Sequence, residues 1–189
     1  MAISPPADRP PWRPDEEVAR QPDRLPGLSL TVSQADGDWS DGDALAAAIH
    51  RLAVALSRHP AGIGTQGREA TVVLGSDQLL RRLNATYRGK DVPTNVLSFP
   101  LAELDELTAT VAGPELLLGD IILARGVCAA EAADKGVTVE QHAMHLLVHG
   151  TLHLLGYDHQ DDATAADMEA REIRALSRLG LANPYEGQD

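Results

Sequence analysis

Apolar and polar positions change period several times along the chain, and each change marks an element. LSLTVS at residues 28–33 alternates, which is the period of a half-buried strand. Asp41 or Asp43 then stands where a helix cap belongs, and Leu45, Ile49, Leu52 and Leu56 recur at helical spacing until HPAGIGTQG at 59–67 ends the run. ATVVLG at 70–75 is short and β-branched, the signature of a second strand. Ser76 after it suits a helix N-cap. In that helix Leu80, Leu83 and Tyr87 predict the buried side, and Arg81, Asn84 and Arg88 a separate polar stripe. NVLSFP at 95–100 predicts a third strand and LLLGDIILA at 116–124 a fourth, buried one. The acidic residues 101–115, which include a Gly-Pro pair, predict a mobile loop between two strands that pair antiparallel. Helices are expected at about 125–135, 138–155 and 163–179. The order β-α-β-α-β-β-α-α-α and the absence of an internal repeat predict an α+β fold, one mixed sheet of about four strands covered by helices.

Composition narrows the setting. A chain of 189 residues with 43% hydrophobic content fills one ordinary domain. Residues 1–27 hold seven of the twelve prolines and no apolar period, so they are expected to form a disordered arm ahead of a domain at 28–186. Neither a leader-like apolar segment nor a run of about 18 apolar residues occurs. A soluble, cytoplasmic protein without a membrane segment is the expectation. The single cysteine, Cys128, excludes an internal disulfide and reads as a small buried thiol. A net charge of −12 argues against a general nucleic-acid binder. The charge is uneven, however: residues 101–140 carry eight acids against Arg125 and Lys135, whereas residues 79–92 carry Arg81, Arg82, Arg88 and Lys90 against Asp91 alone.

Chemistry concentrates in VHGTLHLLGYDH at 148–159. His142, His145, His149 and His153 share one helical stripe, and residues four apart on a helix can face one ion. At about 1.5 Å rise per residue, His145 and His153 are roughly 12 Å apart, too far for one metal. Gly156 can end the helix in a left-handed cap and return the chain so that His159 reaches the same ion. His149, His153 and His159 are therefore the expected metal ligands. Three neutral imidazoles with a fourth position for water are the pattern of a catalytic zinc site, one ion per chain. His142 and His145 are assigned to packing or to supporting the ligands, and His50 and His59 show no partner pattern.

The spacing matches the HExxHxxGxxH of zinc peptidases, on a zincin-like helix, but Gly150 stands where their catalytic glutamate belongs. Glycine cannot take a proton from water. Zinc lowers the pKa of a bound water to about 7 unaided, so a nucleophile remains available. Peptide hydrolysis also needs a proton donor for the amine. Phosphodiester cleavage asks for a metal and a cation near phosphorus, which the basic segment around Arg88 can supply.

These residues resemble the YbeY family of bacterial endoribonucleases, also described as rRNA maturation factors. The match rests on LNATYRGKDVPTNVLSFP (83–100), LGDI (118–121), HGTLHLLGYDH (149–159) and an NPY near the C-terminus, and covers roughly residues 28–186. The resemblance implies zinc on His149, His153 and His159, with Arg88 at the scissile RNA. It also implies processing of ribosomal RNA, notably the small-subunit 3′ end, and a part in ribosome quality control. Ribosomal subunits, ribosomal proteins or a ribosome-associated GTPase would then be partners.

Around Arg88, Lys90 joins the candidate substrate contacts, and Asn95 and Ser98 either meet a phosphate or ribose or organise the turn and strand edge. Arg88 itself is read as catalytic, against a plain surface salt bridge. Asp120 either orders a loop or orients a metal-site histidine. Asp158, Asp161 and Asp162 are proton carriers or a solvated acidic run. Two rivals remain: a metalloprotease, opposed by Gly150, and a non-enzymatic ribosome assembly factor with a structural zinc.

Overall fold

A computed structural model describes residues 28–40, 42–57, 67–103, 107 and 116–186. The expected arm at 1–27, most of the loop 101–115, Asp41 and His59 lie outside the described residues, as does the side chain of Leu56. The elements are β1 (Leu28–Gln34), α1 (Gly42–Ser57), β2 (Arg68–Gly75), α2 (Asp77–Arg88), β3 (Val96–Pro100), β4 (Leu116–Ala124), α3 (Arg125–Asp134), α4 (Val139–Leu154) and α5 (Asp162–Arg178). This is the order the periodicity predicts.

The sheet runs β1-β2-β4-β3, with β1, β2 and β4 parallel and β3 antiparallel to β4. Alternation along the strands sorts the core onto two faces. Val72, Leu74, Ile121 and Leu123 pack with residues of α1, α4 and α5. Val73, Ile122, Leu97 and Phe99 face the other way, onto Leu79, Leu80 and Leu83 of α2. Asp120 is out of phase with Ile121 and Leu123 and pairs in register with Phe99, so it belongs to the α2 side of the sheet rather than the α4 side.

Loop ends are pinned by side chains. The Ser76 hydroxyl caps α2 by accepting from the Leu79 N–H, and Asp36 accepts from both the N–H and the hydroxyl of Ser76. Asp77 accepts from the N–H groups of Gly126 and Val127 at the start of α3. One expectation on α2 is corrected. Asn84 is no part of a polar stripe but is buried: its side-chain amide donates to the Val92 carbonyl at 2.8 Å, and its backbone carbonyl accepts the Lys90 N–H. It thereby ties the turn after Arg88 to the helix.

Candidate metal centre

Helix α4 starts at a capping box: the Thr138 hydroxyl accepts from the Gln141 N–H, and the Gln141 side chain accepts from the Thr138 N–H. From that fixed start, about three turns carry the chain to His149 and about one more to His153. The helix ends where Gly156 takes φ 85°, a left-handed conformation that costs glycine nothing. Its N–H reaches the His153 carbonyl and the Tyr157 N–H reaches the Leu152 carbonyl, the paired bonds of a Schellman cap. The reversed chain then brings His159 back.

The result is a cluster in which His149, His153 and His159 each offer a ligand atom within 4.8 Å of the others. The two Nε2 atoms of His149 and His153 are 3.1 Å apart. Two nitrogens about 2.0–2.1 Å from one tetrahedral ion would be roughly 3.3 Å apart, so the pair fits such an ion. Tautomers support the same reading. Nδ1 of His153 donates to the Tyr157 carbonyl at 2.9 Å, and Nδ1 of His149 donates to Oε1 of Glu172 at 2.8 Å. Both rings therefore turn a bare Nε2 lone pair toward the cluster, the state a metal requires. His153 is buried and His159 is exposed, so the cluster opens on the His159 side. Burial, followed by the charge of His149, lowers His153 to about 3 and keeps its ring neutral.

Glu172 is the residue that sequence reasoning missed. It is 1% exposed and accepts from His149, from Nε2 of His145 at 2.9 Å and from the hydroxyl of Tyr185 through a short bond. Burial pushes its carboxyl up, but the hydrogen bonds from His145, His149 and Tyr185 outweigh that and hold it at about 2. The signal was present: Met168, Glu172, Ala175 and Leu176 form the buried stripe of α5, and a glutamate there needs partners. Tyr185 comes from the NPY motif, whose role the pattern alone does not reveal.

His142 and His145 do serve packing and support. Nε2 of His142 lies 2.6 Å from Oε2 of Glu131, and His145 leans on Glu172 and Tyr185. The acids beside His159 take local roles. Asp158 accepts from the His159 N–H and the Gln160 side chain, and Asp161 caps α5 in a second capping box with Thr164. Cys128 is buried, and burial pushes its thiol up to about 12, so it is unreactive.

Gly150 points at the sheet. A Cβ there would sit 2.8 Å from Cγ2 of Ile121 and 2.9 Å from Oγ of Ser98, so no glutamate fits between α4 and the strands. The missing peptidase glutamate thus reflects close packing of the metal helix on β3 and β4.

Arg88 ends α2, and among the described residues no hydrogen bond or ion pair engages it. Arg81, by contrast, is paired with Asp91 at 2.7 Å. Tyr87, next to Arg88, packs edge-on against Phe99 at 5.2 Å between ring centroids, while Ser98 on the other face of the same strand meets Gly150. The contacts thus run from Arg88's helix through β3 to the histidine helix. Lys90 is exposed in the following turn. Asn95 is committed within the protein: its amide donates to the Glu131 carboxylate at 3.0 Å and its oxygen accepts the Val96 N–H at 2.7 Å. Ser98 is buried. Among the described residues no helix is long and apolar enough to cross a membrane.

Comparison with known proteins places this geometry in a family. The family model described as Endoribonuclease YbeY matches residues 38–180. The "Endoribonuclease YbeY" of Sphingopyxis alaskensis is 55% identical over 123 residues, covering 64% of this chain and 73% of that protein. Its namesake in Parvibaculum lavamentivorans is 46% identical across 84% of this chain and 85% of the relative. For Novosphingobium aromaticivorans the figures are 43% identity, 87% and 98%. The solution structure of TM1509 from Thermotoga maritima aligns at a TM-score of 0.46 and 22% identity, over 81% of this chain and 91% of that one. A family model matched across residues 38–180, with relatives 43–55% identical over most of their length, establishes that the chain belongs to the endoribonuclease YbeY family.

Proposed function

We propose that this member of the endoribonuclease YbeY family is a zinc-dependent enzyme that cuts single-stranded RNA in ribosomal RNA maturation, including the small-subunit 3′ end, and in ribosome quality control. The observation that carries the reading is the pair of Nε2 atoms of His149 and His153, 3.1 Å apart with both Nδ1 atoms already donating, joined by His159 on the open side. Three neutral imidazoles favour zinc over a hard cation. Bound there, the ion would supply Lewis-acid polarisation of a phosphate oxygen.

The chain's own groups supply the rest. Arg88, at the end of α2 and unpaired among the described residues, stabilises the charge that builds on phosphorus, and Lys90 adds a phosphate contact. Asn95 and Ser98 serve RNA binding indirectly, the first by holding the turn through Glu131 and the second by seating β3 against α4. The catalytic domain spans residues 28–186 and works in the cytoplasm. With a net charge of −12, the protein holds free RNA weakly and depends on ribosomal subunits, ribosomal proteins or a ribosome-associated GTPase for recruitment.

Labelled RNA of one sequence, offered single-stranded and as a duplex to zinc-loaded and metal-stripped protein, tests this. Cutting of the single strand by the loaded protein alone is expected, and the product ends report the nucleophile, a cyclic phosphate marking the ribose 2′-OH. Equal cutting by stripped protein, or of the duplex, would overturn the proposal.

A further inference from the structure

Gly150 leaves no place for a glutamate at its position on the metal helix, yet the cavity beside the cluster has an exposed carboxylate from a different element. That cavity, of about 210 Å³, is lined by His149 and His159 on one side and by Glu169, Glu172 and Tyr185 on the other. Its two acids differ in what they are free to do. Glu172 is buried, and its oxygens accept from His145, His149 and Tyr185, so it is committed to holding other groups in place. Glu169 stands three residues earlier on α5, hence on the same side of the helix, and is exposed. Among the described residues no hydrogen bond or ion pair engages its carboxylate. Neighbouring acids are excluded by their own bonds or position: Asp158 holds the loop of His159, Asp161 caps α5, and Asp162 lies in the first turn of α5 and does not line the cavity.

We propose that Glu169 is the general base of RNA cleavage, standing in from α5 for the glutamate that the metal helix lacks; this rests on the endoribonuclease reading above. The attacking hydroxyl, of water or of the ribose 2′-OH, gives its proton to a carboxylate oxygen of Glu169 as the new O–P bond forms. The P–O bond to the departing ribose oxygen breaks with its electron pair. That oxygen takes up the proton from the protonated Glu169, directly or through a water that donates its own proton and is reprotonated by Glu169, and either route returns the carboxylate to its starting state. An exposed carboxylate at the open side of the cluster can meet an incoming strand, whereas a buried one cannot.

The test compares wild type, Glu169→Gln and Glu169→Ala for kcat and KM on single-stranded RNA, with zinc content and zinc affinity measured by chelator competition. Glu169→Gln is expected to lower kcat on the order of 10²–10³-fold, with KM, zinc content and zinc affinity unchanged. Added formate should restore part of the rate to Glu169→Ala and none to wild type. A Glu169→Gln protein within about threefold of wild type in kcat overturns the assignment and leaves the nuclease reading standing. So does a rate loss that tracks lost zinc, which would make Glu169 a structural part of the metal site. If wild type cuts no RNA, both readings fall together.

Discussion

Oε1 of Glu172 lies 2.8 Å from Nδ1 of His149, and this bond decides which nitrogen of the histidine faces the cluster. Removing the carboxylate frees the ring to rotate or change tautomer. Glu172→Gln should therefore weaken zinc binding by about 10–100-fold in chelator competition, while the protein stays folded. Unchanged affinity would show that helix geometry alone orients His149.

At Gly150 the account predicts that restoring the peptidase glutamate fails. Gly150→Ala gains about 1 kcal/mol of helix propensity but places a Cβ 2.8 Å from Ile121, where overpacking costs roughly 1–3 kcal/mol. Its urea or thermal midpoint should fall modestly, and that of Gly150→Glu should fall far more, without any gain of peptide cleavage. A stabilised Gly150→Ala protein would contradict the close packing.

Two buried imidazoles make the metal-free protein sensitive to acid. Burial lowers His142, against the opposing pull of Glu131, and burial with the charge of His149 lowers His153 to about 3, both from 6.5. Between pH 6.5 and 3 the unfolded chain therefore binds protons that the folded chain refuses. Stability is full above pH 6.5 and falls as the pH drops through that window. Urea midpoints of metal-free protein from pH 7.5 to 4.5 should decline steadily below 6.5. A flat profile would mean that the two rings accept protons without loss.

Much of this was legible in the chain. The H-x₃-H pair, Gly156 and His159 fixed the cluster, because helical spacing and a left-handed cap are local properties of a few residues. The LLLGDIILA run, apolar but for Asp120 and Gly119, announced the buried strand β4, which lies between β2 and β3. Other features depend on contacts distant in sequence. Glu172 lies 23 residues after His149 among many acids, and only the packing of α5 on α4 makes it a partner. Asn84 looked like surface because its partner, the Val92 carbonyl, belongs to a turn whose path the periodicity does not specify. Gly150 looked like a lost catalytic group, and its cause is the distance from α4 to Ile121 and Ser98.

The central claim is that a three-histidine ion and Arg88 together perform phosphodiester chemistry. Its most direct test is cleavage of labelled ribosomal RNA and of assembled subunits by wild type, Arg88→Glu and His153→Ala, each checked for folding and zinc content. The account predicts that wild type cuts, that Arg88→Glu stays folded, keeps its zinc and loses at least about 10²-fold in rate, and that His153→Ala loses zinc and cutting together. Equal cutting by a folded Arg88→Glu protein, or a wild type that leaves ribosomal RNA intact, would contradict it.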